Sequence, residues 1–186
     1  MPVVPEIDIG FAISASAAEA DKNYEVIRGI ISATIDQYGI LKTRYAVIVF
    51  GKTPSVKVRF SDDFMSKDAL KYLVQVIPRS RGEPALAKAL EEAKMLFKVE
   101  PRPNAKKILV VITDKKSGDS KEMTKVAVKL LEQAKVTVIA IAFGEEADPE
   151  QLKNITPDKR NVMITNATAD PKELANQLMD KAVKCK

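Results

Sequence analysis

The chain has 186 residues, 46% hydrophobic and 30% charged, enough for one substantial domain with a packed core. Net charge is +5, but the 30 basic and 25 acidic residues are interleaved and aromatics are 5%, so the basic stripe with stacking aromatics of a nucleic-acid module is absent. There is no histidine, which excludes Ser-His-Asp and Cys-His catalysis and nearly all zinc chemistry.

The first ten residues, MPVVPEIDIG, lack the charged start and apolar run of a secretion signal, so the signal of a secreted parent is expected upstream. No apolar run approaches the roughly 18 residues of a membrane span. Residues 7–14 (IDIGFAIS) read as the first strand. Residues 22–38 read as a helix, with apolar residues at Tyr24, Ile27, Ile30, Ile31, Ile35 and Tyr38 and a stop at Gly39. A second buried strand is expected over 45–51. The turn Gly51-Lys52-Thr53-Pro54 then leads into an alternating run, 55–60, that reads as an antiparallel edge strand.

Residues 66–76 open on a serine cap and stop before Pro78. Residues 84–97 place Leu86, Ala89, Leu90, Ala93 and Leu96 or Phe97 on one helical face. A third buried strand, 108–114, ends in Asp114. The helix expected over 120–134 carries Met123, Val126, Ala127, Leu130 and Leu131. A strand over 136–144, a short helix over 149–154, a short strand over 161–165 and a helix over 170–183, opened by Asp170-Pro171 and Glu173, complete the series.

Strands that are continuously apolar and alternate with helices build a mostly parallel, doubly wound α/β sheet with helices on both faces and here one antiparallel edge strand. One domain over 1–186 is expected, with its core at about 7–183. Ligands of such folds bind at the carboxyl ends of the strands. The tips to weigh are therefore residues 14–18, 79–84 and 114–119. None carries a phosphate-cradling glycine motif. A Ser-Lys pair such as Ser16 with Lys115 has no marking spacing, and these serines read as loop and capping residues.

Over nearly its whole length the chain resembles a von Willebrand factor type A domain. The matching pieces are Asp8-Ile9-Gly10-Phe11-Ala12-Ile13, Asn23-Tyr24, Tyr45-Ala46-Val47-Ile48-Val49-Phe50-Gly51, Ala89-Leu90, the strand ending in Asp114 with Ser117 and Asp119, the strand 136–144, and the ending Ala182-Val183-Lys184-Cys185. The resemblance implies a metal-ion-dependent adhesion site: Asp-x-Ser-x-Ser on the first strand tip, a central-loop threonine and an aspartate on a later tip. Mapped here, those positions are Ser14, Ser16, Ala18, Pro84 and Asp114. A shifted register keeps Ser14 and Ser16 as the serines but puts Ala12 at the acid. Either way the first acid is missing, so the site is expected to be degenerate, with no cofactor and Mg²⁺ disfavoured.

The expected binding face is Arg81, Asp114, Lys115 and Lys116, neutral to positive in charge. The resemblance implies a non-enzymatic, metal-independent interaction module of a secreted extracellular matrix protein, whose partner is a matrix component such as collagen, or neighbouring domains. The sequons at Asn154 and Asn166 are compatible with secretion and glycosylation. The single cysteine, Cys185, has no partner within the chain and is expected to bond outside it or stay free. The alternatives are an intracellular type A scaffold in a multiprotein complex and a small α/β enzyme using Asp114.

Overall fold

The structure, a computed structural model, describes residues 5–99 and 101–184; Cys185 lies outside the described residues. The chain runs β1 (Ile7–Ser14), α1 (Ala20–Tyr38), β2 (Thr43–Phe50), β3 (Pro54–Val58), α2 (Lys67–Val76), α3 (Leu86–Val99), β4 (Lys106–Thr113), α4 (Lys121–Gln133), β5 (Val136–Phe143), α5 (Pro149–Lys153), β6 (Val162–Thr165) and α6 (Pro171–Lys184). These are the twelve expected elements in the expected order, with ends moved by one or two residues. A 3-10 turn at Lys159–Asn161 is added before β6.

The six strands form one sheet in the order β3-β2-β1-β4-β5-β6. Only β3 runs antiparallel, joined to β2 by the turn expected at residues 51–54. The chain winds outward from β1 through β2 and then returns to β4 on the other side, so the switch point lies between β1 and β4. That is where an open parallel sheet leaves a crevice at its carboxyl edge. Ser14 and Thr113 are paired there, which sets Asp114 directly over the crevice.

Alternation along β1 divides its residues between two cores. Ile9, Phe11 and Ile13 face α1, α2 and α6, packing with Ile27, Ile30, Ile31, Leu70, Val74 and Leu178. Ala12 faces α3, α4 and α5, packing with Leu90, Phe97, Leu131 and Leu152. Small residues on this second face let α3 approach closely. A Cβ on Gly10 would lie 3.4 Å from the Phe97 ring.

Helix ends follow local chemistry. Ser66 and Ser120 cap α2 and α4 by accepting from the amides of Ala69 and Met123. Gly39 ends α1, its amide donating to Ile35 O. In α4 the buried stripe is Thr124, Ala127, Val128 and Leu131, while Met123 and Val126 are exposed, contrary to the face expected from the sequence. Positions three and four apart fit two overlapping stripes, and the one carrying Thr124 and Val128 is the one against the sheet.

At the opposite, amino edge of the strands, Asp8 is 1% exposed and is clamped by two guanidiniums. Arg44 donates to both of its oxygens at 2.9 and 2.8 Å. Arg102 donates to Asp8 Oδ1 and to the carbonyls of Ile7 and Lys42. These bonds tie β1, β2 and the segment before β4 together below the core.

Two buried tyrosines make the fold sensitive to alkali. Tyr24 donates to Ile77 O and Tyr45 to Gly39 O. Burial pushes the Tyr24 hydroxyl from 10.0 up to about 12, only partly opposed by Arg28, and burial likewise raises Tyr45. Both groups stay protonated in the folded chain after they have ionised in the unfolded one. Their contribution is therefore complete below pH 10 and lost as pH rises through the folded values. Between about pH 9 and pH 11 the native chain should lose about 2 kcal/mol more unfolding free energy than the Tyr24→Phe/Tyr45→Phe double variant. Denaturant titrations at the two pH values check this, and equal losses would contradict it.

Candidate functional site

Five loops meet above the switch point: residues 15–19 after β1, the central loop 77–85, 114–120 after β4, 144–148 after β5 and 166–170 after β6. Asp114 is at the centre, and it is 0% exposed. Its Oδ1 accepts from the amides of Ser16 at 2.7 Å and Ala17 at 3.2 Å. Its Oδ2 accepts from Asn23 Nδ2 at 3.0 Å, and its own amide donates to Ser14 O at 3.3 Å. A carboxylate removed from water must be compensated by hydrogen bonds, and here the chain itself supplies three donors. Asp114 thus lies beneath the face to which the sequence assigned it.

Of the other aligned positions, Ser14 and Ser16 contact Asp114 through their main chains. Both Oγ atoms are buried and have no hydrogen-bond partner among the described residues. Ala18 is exposed, and its amide donates to Glu146 Oε1 at 2.8 Å. Pro84 is buried in the central loop. This loop is pressed onto the end of β2: Ala85 N donates to Gly51 O, and a Cβ on Gly51 would fall 2.1 Å from Arg81 O. Only glycine fits there without displacing the loop.

Ionic contacts cross-link the loops around Asp114. Lys115 Nζ reaches Glu83 on the central loop at 2.9 Å, and Lys116 Nζ reaches Asp148 at 2.9 Å. Arg79 donates to Asp21 at 2.7 Å and to Ala15 O at 3.4 Å, joining the central loop to the β1 tip. Asp119 accepts from Ala87 N at 2.7 Å in the first turn of α3. Arg81 is exposed on the central loop. The hydrogen bond and charge of Glu83, aided by Glu146 and Asp114, hold the Lys115 ammonium above its usual range.

Sequence reasoning picked out Asp114, Ser16 and Lys115 but not Asn23, which donates to Asp114, Glu83, which pairs with Lys115, or Arg79 and Glu146, which bond the β1 tip at Ala15 and Ala18. No local pattern marks these pairings, because Ser16 and Asp114 are 98 positions apart and Ala18 and Glu146 are 128 apart. The rim also divides by charge. Its central-loop side carries Arg79, Arg81 and Lys115, whereas Glu19, Glu145 and Glu146 line the side toward β6. Arg81 and Lys115, which the sequence assigned to the binding face, lie on the central-loop side.

Both sequon asparagines, Asn154 and Asn166, are exposed. In the first sequon Thr156 is buried, its hydroxyl donating to Leu152 O. In the second, Asn166 Oδ1 accepts from Thr168 N and Oγ1 in a tight turn.

Removing the central carboxylate should loosen this end of the sheet. Asp114→Ala leaves three donors without their acceptor, at a cost of about 3 kcal/mol. Asp114→Asn keeps one acceptor oxygen and should fall between the variant and the native chain. Equilibrium unfolding in urea checks both; an Asp114→Ala protein as stable as the native one would contradict the arrangement.

Comparison with known proteins agrees with this architecture. The family model of the von Willebrand factor type A domain matches residues 8–180. The chain is 28% identical over 184 residues to integrin alpha-X of Mus musculus, covering 94% of this chain and 16% of that protein. It is 28% identical over 184 residues to the collagen alpha-5(VI) chain of Mus musculus, covering 95% of this chain and 7% of that protein. The chain thus spans a small part of the length of these relatives. Among solved structures, proximal thread matrix protein 1 of the mussel byssus superposes with a TM-score of 0.85 at 22% identity, over 96% of this chain and 48% of that one. With its switch point between β1 and β4 and its antiparallel β3 edge, the chain belongs to the von Willebrand factor type A domain family.

Proposed function

We propose that this domain is a non-enzymatic, metal-independent protein-interaction module of a secreted extracellular matrix protein. The observation that carries the metal-independent part is the commitment of Asp114. Both of its oxygens accept N–H donors from the chain, so the charge that a cation would use already serves to join the β1 and β4 tips. The donor set does not fit Mg²⁺, which takes about six oxygens in octahedral array. Asp114 supplies one carboxylate, Ser14 and Ser16 supply two hydroxyls, and Ala18 and Pro84 supply no side-chain oxygen. No group of three or more metal-ligating acidic, cysteine or histidine side chains occurs among the described residues.

The matrix assignment draws on the kinds of protein to which the chain is similar: a collagen VI chain, an integrin alpha chain and a byssal thread matrix protein. The exposed Asn154 and Asn166 are compatible with passage through a secretory pathway. The partner is a matrix protein such as collagen, or a neighbouring domain of the same protein. No helix among the described residues is long and apolar enough to cross a membrane.

Binding of the domain to a collagen-coated surface in Mg²⁺ and in chelator tests the reading. The expected result is retention that differs by less than about twofold between the two conditions, a difference below about 0.5 kcal/mol. Retention that appears only with metal would overturn metal independence, and none in either condition would overturn collagen as the partner.

A further inference from the structure

A groove of about 660 Å³ opens beside the central site, between the loops after β1, β5 and β6. Its apolar surface comes from Ala17, Ala18, Ala167 and Ile164. Ile164 is 72% exposed, an unusual position for a large β-branched side chain. It sits on β6, the last strand of the sheet, whose outer edge has no neighbouring strand among the described residues. An open edge offers backbone hydrogen bonds to an extended chain.

The groove is acidic in a chain whose net charge is +5. Glu19, Glu145 and Glu146 rim it, Asp114 lies at its base, and no lysine or arginine lines it. Elsewhere on this end of the molecule three acids have cationic partners: Asp21 has Arg79, Glu83 has Lys115 and Asp148 has Lys116. Glu145 has no hydrogen bond or ion pair among the described residues. The Glu146 carboxylate accepts the Ala18 amide and makes no ion-pair contact among the described residues. Glu19 pairs with Lys22 at 3.4 Å, but both side chains are largely exposed, and such pairs are worth little. Lys115, which feels the charge of Glu146, is itself hydrogen-bonded to Glu83.

We propose that this groove takes an extended segment of a partner protein that presents lysine or arginine side chains beside an apolar residue. The apolar side chain packs on Ile164 and the alanines, while the cation sits between Glu145 and Glu146. Opposed charge steers the encounter and rejects acidic segments, and the apolar contact holds the complex. The proposal rests on the domain's being a protein-interaction module, and it gives that module the reverse of a metal site's preference: a basic partner group rather than a carboxylate.

The test uses the intact domain and two short synthetic peptides, one alternating valine and lysine, the other alternating valine and glutamate, followed by amide chemical shifts. The lysine peptide should shift residues 144–146 and 164–168, with affinity that falls as salt rises. The glutamate peptide should leave them unmoved. Glu145→Lys should weaken binding at least about tenfold, and Ile164→Ser about threefold with the same salt dependence. Glu91→Lys, on the exposed face of α3, should change nothing. Equal binding of both peptides, shifts confined to other surfaces, no binding, or indifference to Glu145→Lys would each overturn the proposal. If the groove fails while the domain still binds collagen in chelator, only the groove assignment falls. If the lysine peptide titrates the groove but collagen binding requires metal, only the metal-independent reading falls.

Discussion

The Asp114 carboxylate is buried where two oppositely wound halves of the sheet meet, and the arrangement of the surrounding loops depends on it. A bare carboxylate in that position would be costly, so the fold must bring donors to it. They come from the β1 tip, through the amides of Ser16 and Ala17, and from the first turns of α1, through Asn23. The same bonds fix the path of the chain from β1 into α1. Around them, Lys115–Glu83, Arg79–Asp21 and Lys116–Asp148 join neighbouring loops. Each exposed pair contributes little alone, and the buried carboxylate determines the geometry that lets them form.

This arrangement changes what the carboxyl edge of the sheet can do. In a metal-bearing site of this kind the cation joins strand tips and leaves a position for a partner's carboxylate. Here N–H groups join the tips, and the side-chain oxygens at positions 18 and 84 are gone. The charge available to a partner has moved outward, to Glu145 and Glu146 on the loop after β5. A surface that sets apolar side chains beside an acidic rim selects a cation with an apolar neighbour, which is the basis for assigning a basic segment to it.

Much of the fold was legible because strands buried on both faces are continuously apolar, as in IDIGFAIS and KKILVVIT, and because Gly39, Ser66 and Ser120 mark helix ends in the local sequence. The outward face of α4 was not, since Met123 and Val126 fit the same spacing as Thr124 and Val128 and only the position of the sheet decides between them. At the site, the places of Ser14 and Asp114 at the carboxyl ends of β1 and β4 were readable from the sequence. The partners of Asp114 were not, because two are main-chain amides, which leave no trace in a sequence, and the third, Asn23, is 91 positions away. The division of charge across the rim was equally hidden, because Glu19 and Glu146 meet only through the topology.

The central claim is that protein N–H groups, not a metal, hold the strand tips. Amide hydrogen exchange at Ser16 and Ala17, measured in chelator and again in Mg²⁺, tests it most directly. Both amides donate to Asp114 in the folded chain, so the account predicts slow exchange in chelator and the same rates after Mg²⁺ is added. Rapid exchange in chelator that slows only with metal would contradict it.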